Sequence, residues 1–154
     1  DQIPVVELDN GATVRIICGE AYGTQGPVQE VFIDPAYLDI HIPPGQTVTH
    51  ATSRGHTVFT YVIEGRGFFG ETAASDSVRT PDAGDEEGIA IGTLVLFQDG
   101  DALTVRTGNE AVRFLLISGR PLREPVAWRG PIVMNTQEEL RIAFEEYQNG
   151  TFIK

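Results

Sequence analysis

The residues in this sequence best suited to chemistry are three histidines, His41, His50 and His56, all within the stretch Tyr37 to Gly70. Three neutral imidazoles that converged could hold a divalent metal. Iron, manganese, zinc and nickel all accept nitrogen ligands, and a carboxylate commonly completes the set. One arrangement that would converge in a small β-barrel has two histidines two apart on one strand, a carboxylate shortly after, and a histidine on a later strand. The reason is that residues i and i+2 point to the same face. This chain departs from that pattern. After Gly45 it reads Thr49-His50-Ala51-Thr52-Ser53, the carboxylate position falls near Thr57 or Val58, and the later position falls near Leu103. No histidine follows His56. The expectation is that the chain holds no metal, with His41, His50 and His56 as the fallback ligands if one is bound. On the plainer reading His56 caps a long strand, and the other two are surface or hydrogen-bonded residues.

Other chemistries have less support. There is no glycine-rich phosphate loop opening a helix and no G-x-S-x-G elbow. Cys18 is the only cysteine, so there is no disulfide framework and no cysteine-built zinc site. It lies in the apolar run Val14 to Cys18 and reads as a small core residue. The carboxylates fall mostly in loops, where burial does not tune them. Trp128, beside Pro125 and Pro131, reads as pinning a coil to the barrel rather than as a ligand platform. A net charge of −11 disfavours direct contact with nucleic-acid phosphates or an anionic membrane surface. No apolar run approaches a membrane span and no signal peptide is seen, so a cytoplasmic location is expected. A start at Asp1 rather than Met is compatible with a fragment.

The elements that must position these residues are short. At 154 residues the chain reads as one domain, 1–154, able to bury a core without staples. Ile3 to Leu8 and Thr13 to Cys18 form two strands across an Asp9-Asn10-Gly11 turn. Glu20 to Pro27 reads as loop, and Val28 to Ile33 as a short strand ended by Asp34-Pro35. Tyr37 to Ile42 alternates: Leu38, Ile40 and Ile42 share one face, and Tyr37, Asp39 and His41 the other. Pro43-Pro44-Gly45 stops it. Thr47 to His50 is a short strand. His56 to Ile63 is a long one, apolar on both faces, with Gly65 and Gly67 punctuating its end. Residues 71–88 carry six carboxylates against one arginine and read as an exposed acidic loop. Ile89 to Phe97, Leu103 to Thr107 and Val112 to Ser118 are strands separated by turns. Gly119 to Pro131 reads as extended coil. A helix over 136–149 starts at a Thr136/Glu139 capping box and carries Leu140, Ala143, Phe144 and Tyr147 on one stripe. Gly150 is placed to end it left-handed. The pattern predicts an all-β jelly-roll barrel with one C-terminal α-helix.

The segment from Gly119 to Phe152 holds Pro121-Leu122, Glu124-Pro125-Val126, Gly130-Pro131, Val133-Met134-Asn135-Thr136, Glu138-Glu139 and Tyr147-Gln148-x-Gly150. It resembles the closing segment of the pirin family. The start, Ile3 to Glu20, is similar to the opening of the second half of pirins. Tyr37-Leu38-Asp39, Pro43-Pro44-Gly45, Gly55-His56 and Tyr61 to Gly65 are similar to its middle. The resemblance covers the chain apart from 71–88, which looks like an insertion. It implies a cupin-type double-stranded β-helix. Pirins are two-cupin proteins in which the metal, generally iron, sits in the first cupin, while the second has lost the ligands; this chain matches only the second. Bacterial members are associated with quercetin 2,3-dioxygenase activity and the human member with transcriptional co-regulation. The resemblance therefore implies a structural or regulatory half, not catalytic alone and with no cofactor of its own. Iron would belong to the missing N-terminal cupin. Expected partners are a second cupin domain or a homodimer mate, with a small aromatic ligand as an option, and neither nucleic acid nor membrane. The alternatives are a self-standing metal-dependent cupin enzyme, a dioxygenase or isomerase, and a metal-free small-molecule-binding barrel.

Overall fold

The computed structural model describes residues 2–28, 31–70 and 88–153. The strands are β1 (Val5–Glu7), β2 (Thr13–Cys18), β3 (Glu20–Ala21), β4 (Thr24–Gln25), β5 (Ala36–Ile42), β6 (Thr47–Ala51), β7 (Thr57–Phe69), β8 (Ile89–Ala90), β9 (Leu94–Leu96), β10 (Ala102–Arg106), β11 (Val112–Gly119), β12 (Ala127–Arg129) and β13 (Ile132–Met134). One helix, α1 (Gln137–Gln148), follows. The acidic insertion expected at 71–88 lies outside the described residues but for Gly88. Two compact units divide the chain, residues 1–121 and 122–154.

In the first unit a curled antiparallel sheet runs β1-β2-β5-β11-β7-β10-β6, with β8 and β9 also paired to β7. This is the jelly roll that the strand pattern predicts. The period-two alternation of β5 decides its inside: Leu38, Ile40 and Ile42 are buried, and across the ladder so are Val112, Phe114 and Leu116 of β11. Phe114 meets Phe69 edge-on, with ring centroids 5.1 Å apart. Truncating a fully buried phenylalanine of this kind costs about 3–5 kcal/mol.

β7 runs further than the glycines suggested. Gly65 does not end it, because the strand is shared between two walls. Thr57 to Gly65 pair with β11 and Phe59 to Tyr61 with β9, whereas Arg66 and Gly67 pair with β8 and Phe68 and Phe69 with β10. The turn from one wall to the other is made where Phe114 faces Val62 but Arg113 faces Glu64, leaving Ile63 as the extra residue of a bulge. Gly65 then takes φ +68°, and a Cβ there would run into the Ala111 carbonyl oxygen. Only glycine fits that position.

Two further expectations fail locally. Val28 to Ile33 is not a strand in its described part: Val28 makes an isolated bridge to Cys18, and the Asp34 N–H donates to the Val31 carbonyl in a turn. The Ile33 carbonyl is taken by the Arg120 N–H at 2.7 Å, so these β-branched residues have no ladder to extend. Conversely, Glu20 to Pro27 is not plain loop. β3 and β4 form a two-residue hairpin across Tyr22-Gly23, both left-handed at φ 50° and 71°, as a type I′ turn demands.

In the second unit β12 and β13 pair within the stretch expected to be coil. Ala127 and Ile132 of that hairpin bury Leu140 and Ala143 of α1, with Met134 and Phe144 packed against them. Thr136 caps the helix through a full capping box with Glu139. Gly150 at φ +71° ends it, its N–H on the Tyr147 carbonyl and that of Thr151 on Glu146, a Schellman motif. Tyr147 leaves the predicted stripe: it is exposed, edge-on to Phe152. Trp128 is exposed too, its indole N–H donating to the Gly130 carbonyl at 2.7 Å.

Candidate functional site at the barrel mouth

The three histidines divide two and one. His41 sits on β5 beside Asp39, on the face turned away from the core, in register with Arg113 of β11 and Thr13 of β2. It is a wall residue. His50 lies near the end of β6 on the inward side shared with buried Val48, opposite buried Leu103. His56 is half-buried and leads directly into β7.

The loop between His50 and His56 is folded back and clipped to the turn that precedes β10. The Thr52 N–H donates to the Asp101 carbonyl at 2.9 Å, and the Gly55 N–H to Asp99 Oδ1 at 2.6 Å. Arg54 pairs with the Asp101 carboxylate at 2.8 Å. Gly55, left-handed at φ +79°, lets the chain reverse so that the His56 N–H reaches the Ser53 carbonyl. The Ser53-Arg54-Gly55 break that left the facing of these histidines open is thus what brings them to one place.

That place is a pocket of about 160 Å³ whose lining includes His50, His56, Glu20, Asp34, Thr52 and Ser118. Glu20 and Asp34 continue into an adjoining cleft of about 290 Å³ beside Cys18 and Val31. The His50 ring leans on Tyr22, centroids 5.7 Å apart at 50°. Burial pushes the His50 imidazole below its usual pKa and the Tyr22 phenol above its own, so both favour the neutral form. Tyr22, Glu20, Asp34 and Ser118 were not legible as site residues. The one available signal was Tyr22-Gly23, a hairpin pair written with an aromatic where Asn or Asp is usual.

Iron is the metal the fold suggests, and the donor set can be tested for it. Two imidazoles and two carboxylates line one pocket, yet among the described residues no three His, Cys, Asp or Glu stand close enough to hold a metal ion. The residues do not fit such a centre.

A second surface lies on the outer face of the sheet. One cross-strand row reads Val5, Arg15, Asp39, Leu115, Tyr61, Leu94 from edge to edge. Asp39 is buried under a bidentate Arg113, at 2.8 and 2.6 Å, with Arg15 at 3.5 Å. The hydrogen bonds from Arg113 hold its carboxyl below the usual range, against the opposing effect of burial. Beside this cluster Tyr61, Leu94 and Leu96 are 41%, 57% and 67% exposed. No helix among the described residues is long and apolar enough to cross a membrane.

Comparison with known proteins gives a consistent picture. Residues 37–153 match the family model of the pirin C-terminal cupin domain. The chain is 35% identical to Pirin-1 of Arabidopsis thaliana over 150 residues, covering 96% of this chain and 47% of that protein. It is 35% identical to the pirin of Homo sapiens, covering 97% and 47%. It is 32% identical to a putative quercetin 2,3-dioxygenase of Thermoplasma acidophilum, covering 100% and 56%. A crystal structure of quercetin 2,3-dioxygenase from Acinetobacter baumannii is similar with a TM-score of 0.79 at 28% identity, covering 97% of this chain and 47% of that one. The chain spans about half the length of the curated relatives it matches.

Proposed function

Because this chain belongs to the pirin family, matched through its C-terminal cupin domain, we propose that it is the structural or regulatory half of a two-cupin protein of the quercetin 2,3-dioxygenase-like kind. In this reading it docks a second cupin and does not catalyse alone. The observation that carries the reading is the apolar outer face at Tyr61 of β7 and Leu94 and Leu96 of the neighbouring strand β9. Fully burying a side chain of that class is worth about 1.5–3 kcal/mol, and a folded domain gains nothing from leaving three together in water. The half-length match to the relatives supports a second barrel of similar size as the occupant.

Sedimentation equilibrium tests this, in salt sufficient to screen the net charge of −11. Without a sister cupin the face should pair with itself and give reversible dimers. Leu96→Lys should raise the dimer dissociation constant tenfold or more, about 1.4 kcal/mol. A chain that stays monomeric throughout the micromolar range would overturn the reading. The rival reading, a metal-dependent enzyme, has the shared pocket of His50 and His56 in its favour. Stoichiometric iron, zinc or nickel in the purified chain, lost in His56→Ala, would decide for it.

A further inference from the structure

The barrel pairs its buried polar groups with care. The Thr107 hydroxyl, for one, donates to the Pro43 carbonyl at 2.6 Å and accepts the Gln46 N–H at 2.9 Å. Two inner-face hydroxyls are different. Ser118 is 8% exposed and lines the mouth pocket, and its Oγ has no hydrogen-bond partner among the described residues. Thr60 is wholly buried, and its Oγ1 is likewise unpaired. Ser118 faces Val58 and Leu116 faces Thr60, so the two hydroxyl residues are diagonal neighbours on β11 and β7. At Thr60 an unmade hydrogen bond of this kind costs about 1–3 kcal/mol, whereas the Ser118 hydroxyl, at the pocket wall, is placed to meet a ligand.

The rest of the pocket says which ligand. Glu20 and Asp34 are exposed carboxylates on its lining, and they call for a cation. His50 and Ser118 offer a ring nitrogen and a hydroxyl, suited to exchanging hydrogen bonds with an alcohol. Two residues here hold left-handed backbone without being glycine: Asp34 at φ 48°, and Tyr22, the aromatic support of His50, at φ 50°. Such strain gathers at ligand sites. A volume of about 160 Å³, set against about 30 Å³ for a water in the liquid, has room for about five non-hydrogen atoms.

We propose that the mouth pocket binds a small amino alcohol, its ammonium group at Glu20 and Asp34 and its hydroxyl at Ser118 and His50. The site is independent of the docking face and stands whether or not that face is occupied. The test is two-dimensional NMR of the chain titrated with ethanolamine, with ethylammonium, ethylene glycol and acetate as comparators. Ethanolamine should give saturable shifts at His50 and Ser118. Ethylammonium and ethylene glycol should bind at least tenfold more weakly, and acetate not at all. Ser118→Ala and, separately, Glu20→Gln should each weaken ethanolamine tenfold or more while the spectrum keeps its folded dispersion; using both covers the failure of either to fold. No saturable shift with ethanolamine, equal shifts with acetate, or unchanged affinity in both variants would overturn the proposal.

Discussion

The outer face around Asp39 and the inner face around Ser118 both place polar groups in a largely apolar sheet, and they treat them in opposite ways. Asp39 is buried with its carboxylate gripped by two arginines. Thr60 is buried with its hydroxyl unpaired, and Ser118, at the pocket wall, makes no hydrogen bond to another described side chain. A satisfied polar cluster fixes strand register and is structural, whereas an unsatisfied one at a pocket wall is open to a partner from outside. The contrast teaches that burial of a polar residue is uninformative until its hydrogen bonds are counted.

Three substitutions would break or sharpen that contrast. The largest effect should come from Asp39→Ala, which strands Arg113 and Arg15 against apolar neighbours. Breaking a fully buried pair costs about 3–5 kcal/mol. Because both arginine side chains keep a third or more of their surface in water, a loss of about 2–3 kcal/mol is expected in denaturant unfolding. The same residue sets an acid limit. Its folded pKa lies below its unfolded one, so its contribution is complete above the unfolded carboxylate value, near pH 4. That contribution falls away as the pH drops through the lower, folded value. Unfolding of the parent protein should therefore show a steep acid arm that Asp39→Asn flattens; parallel arms would break the assignment.

On the inner face the sign reverses. Thr60→Val keeps the shape and removes an unpaired hydroxyl, so it should leave stability unchanged or raise it by about 1 kcal/mol. A loss beyond 1 kcal/mol would mean that Thr60 has a bond partner after all. The smallest effect is spectroscopic. His50 should titrate below the ordinary histidine value, and Tyr22→Ala, by admitting water, should move its midpoint back up. An unmoved midpoint would remove Tyr22 from the site.

Much of this architecture was legible in the chain. The alternation of Leu38, Ile40 and Ile42 against Asp39 and His41 gave the facing of β5, and with it the separation of His41 from the barrel interior. The Thr136/Glu139 box and Gly150 gave the helix ends to within a residue. What stayed hidden depends on partners distant in sequence. Asp39 finds Arg113 only through the β5–β11 register. The described part of Val28 to Ile33 has strand-forming residues, yet among them only Val28 makes a bridge, to Cys18. Ser118 looked like one more residue of an alternating strand, and only the pocket beside it gives its hydroxyl meaning.

β7 has a consequence of its own. One uninterrupted backbone is stitched to β11 and β9 over its first nine residues, Thr57 to Gly65, and to β8 and β10 over its last four. Neither wall can therefore melt while the other survives. Amide protons on both sides of Gly65 should exchange with solvent only when the whole barrel opens, in a single cooperative event.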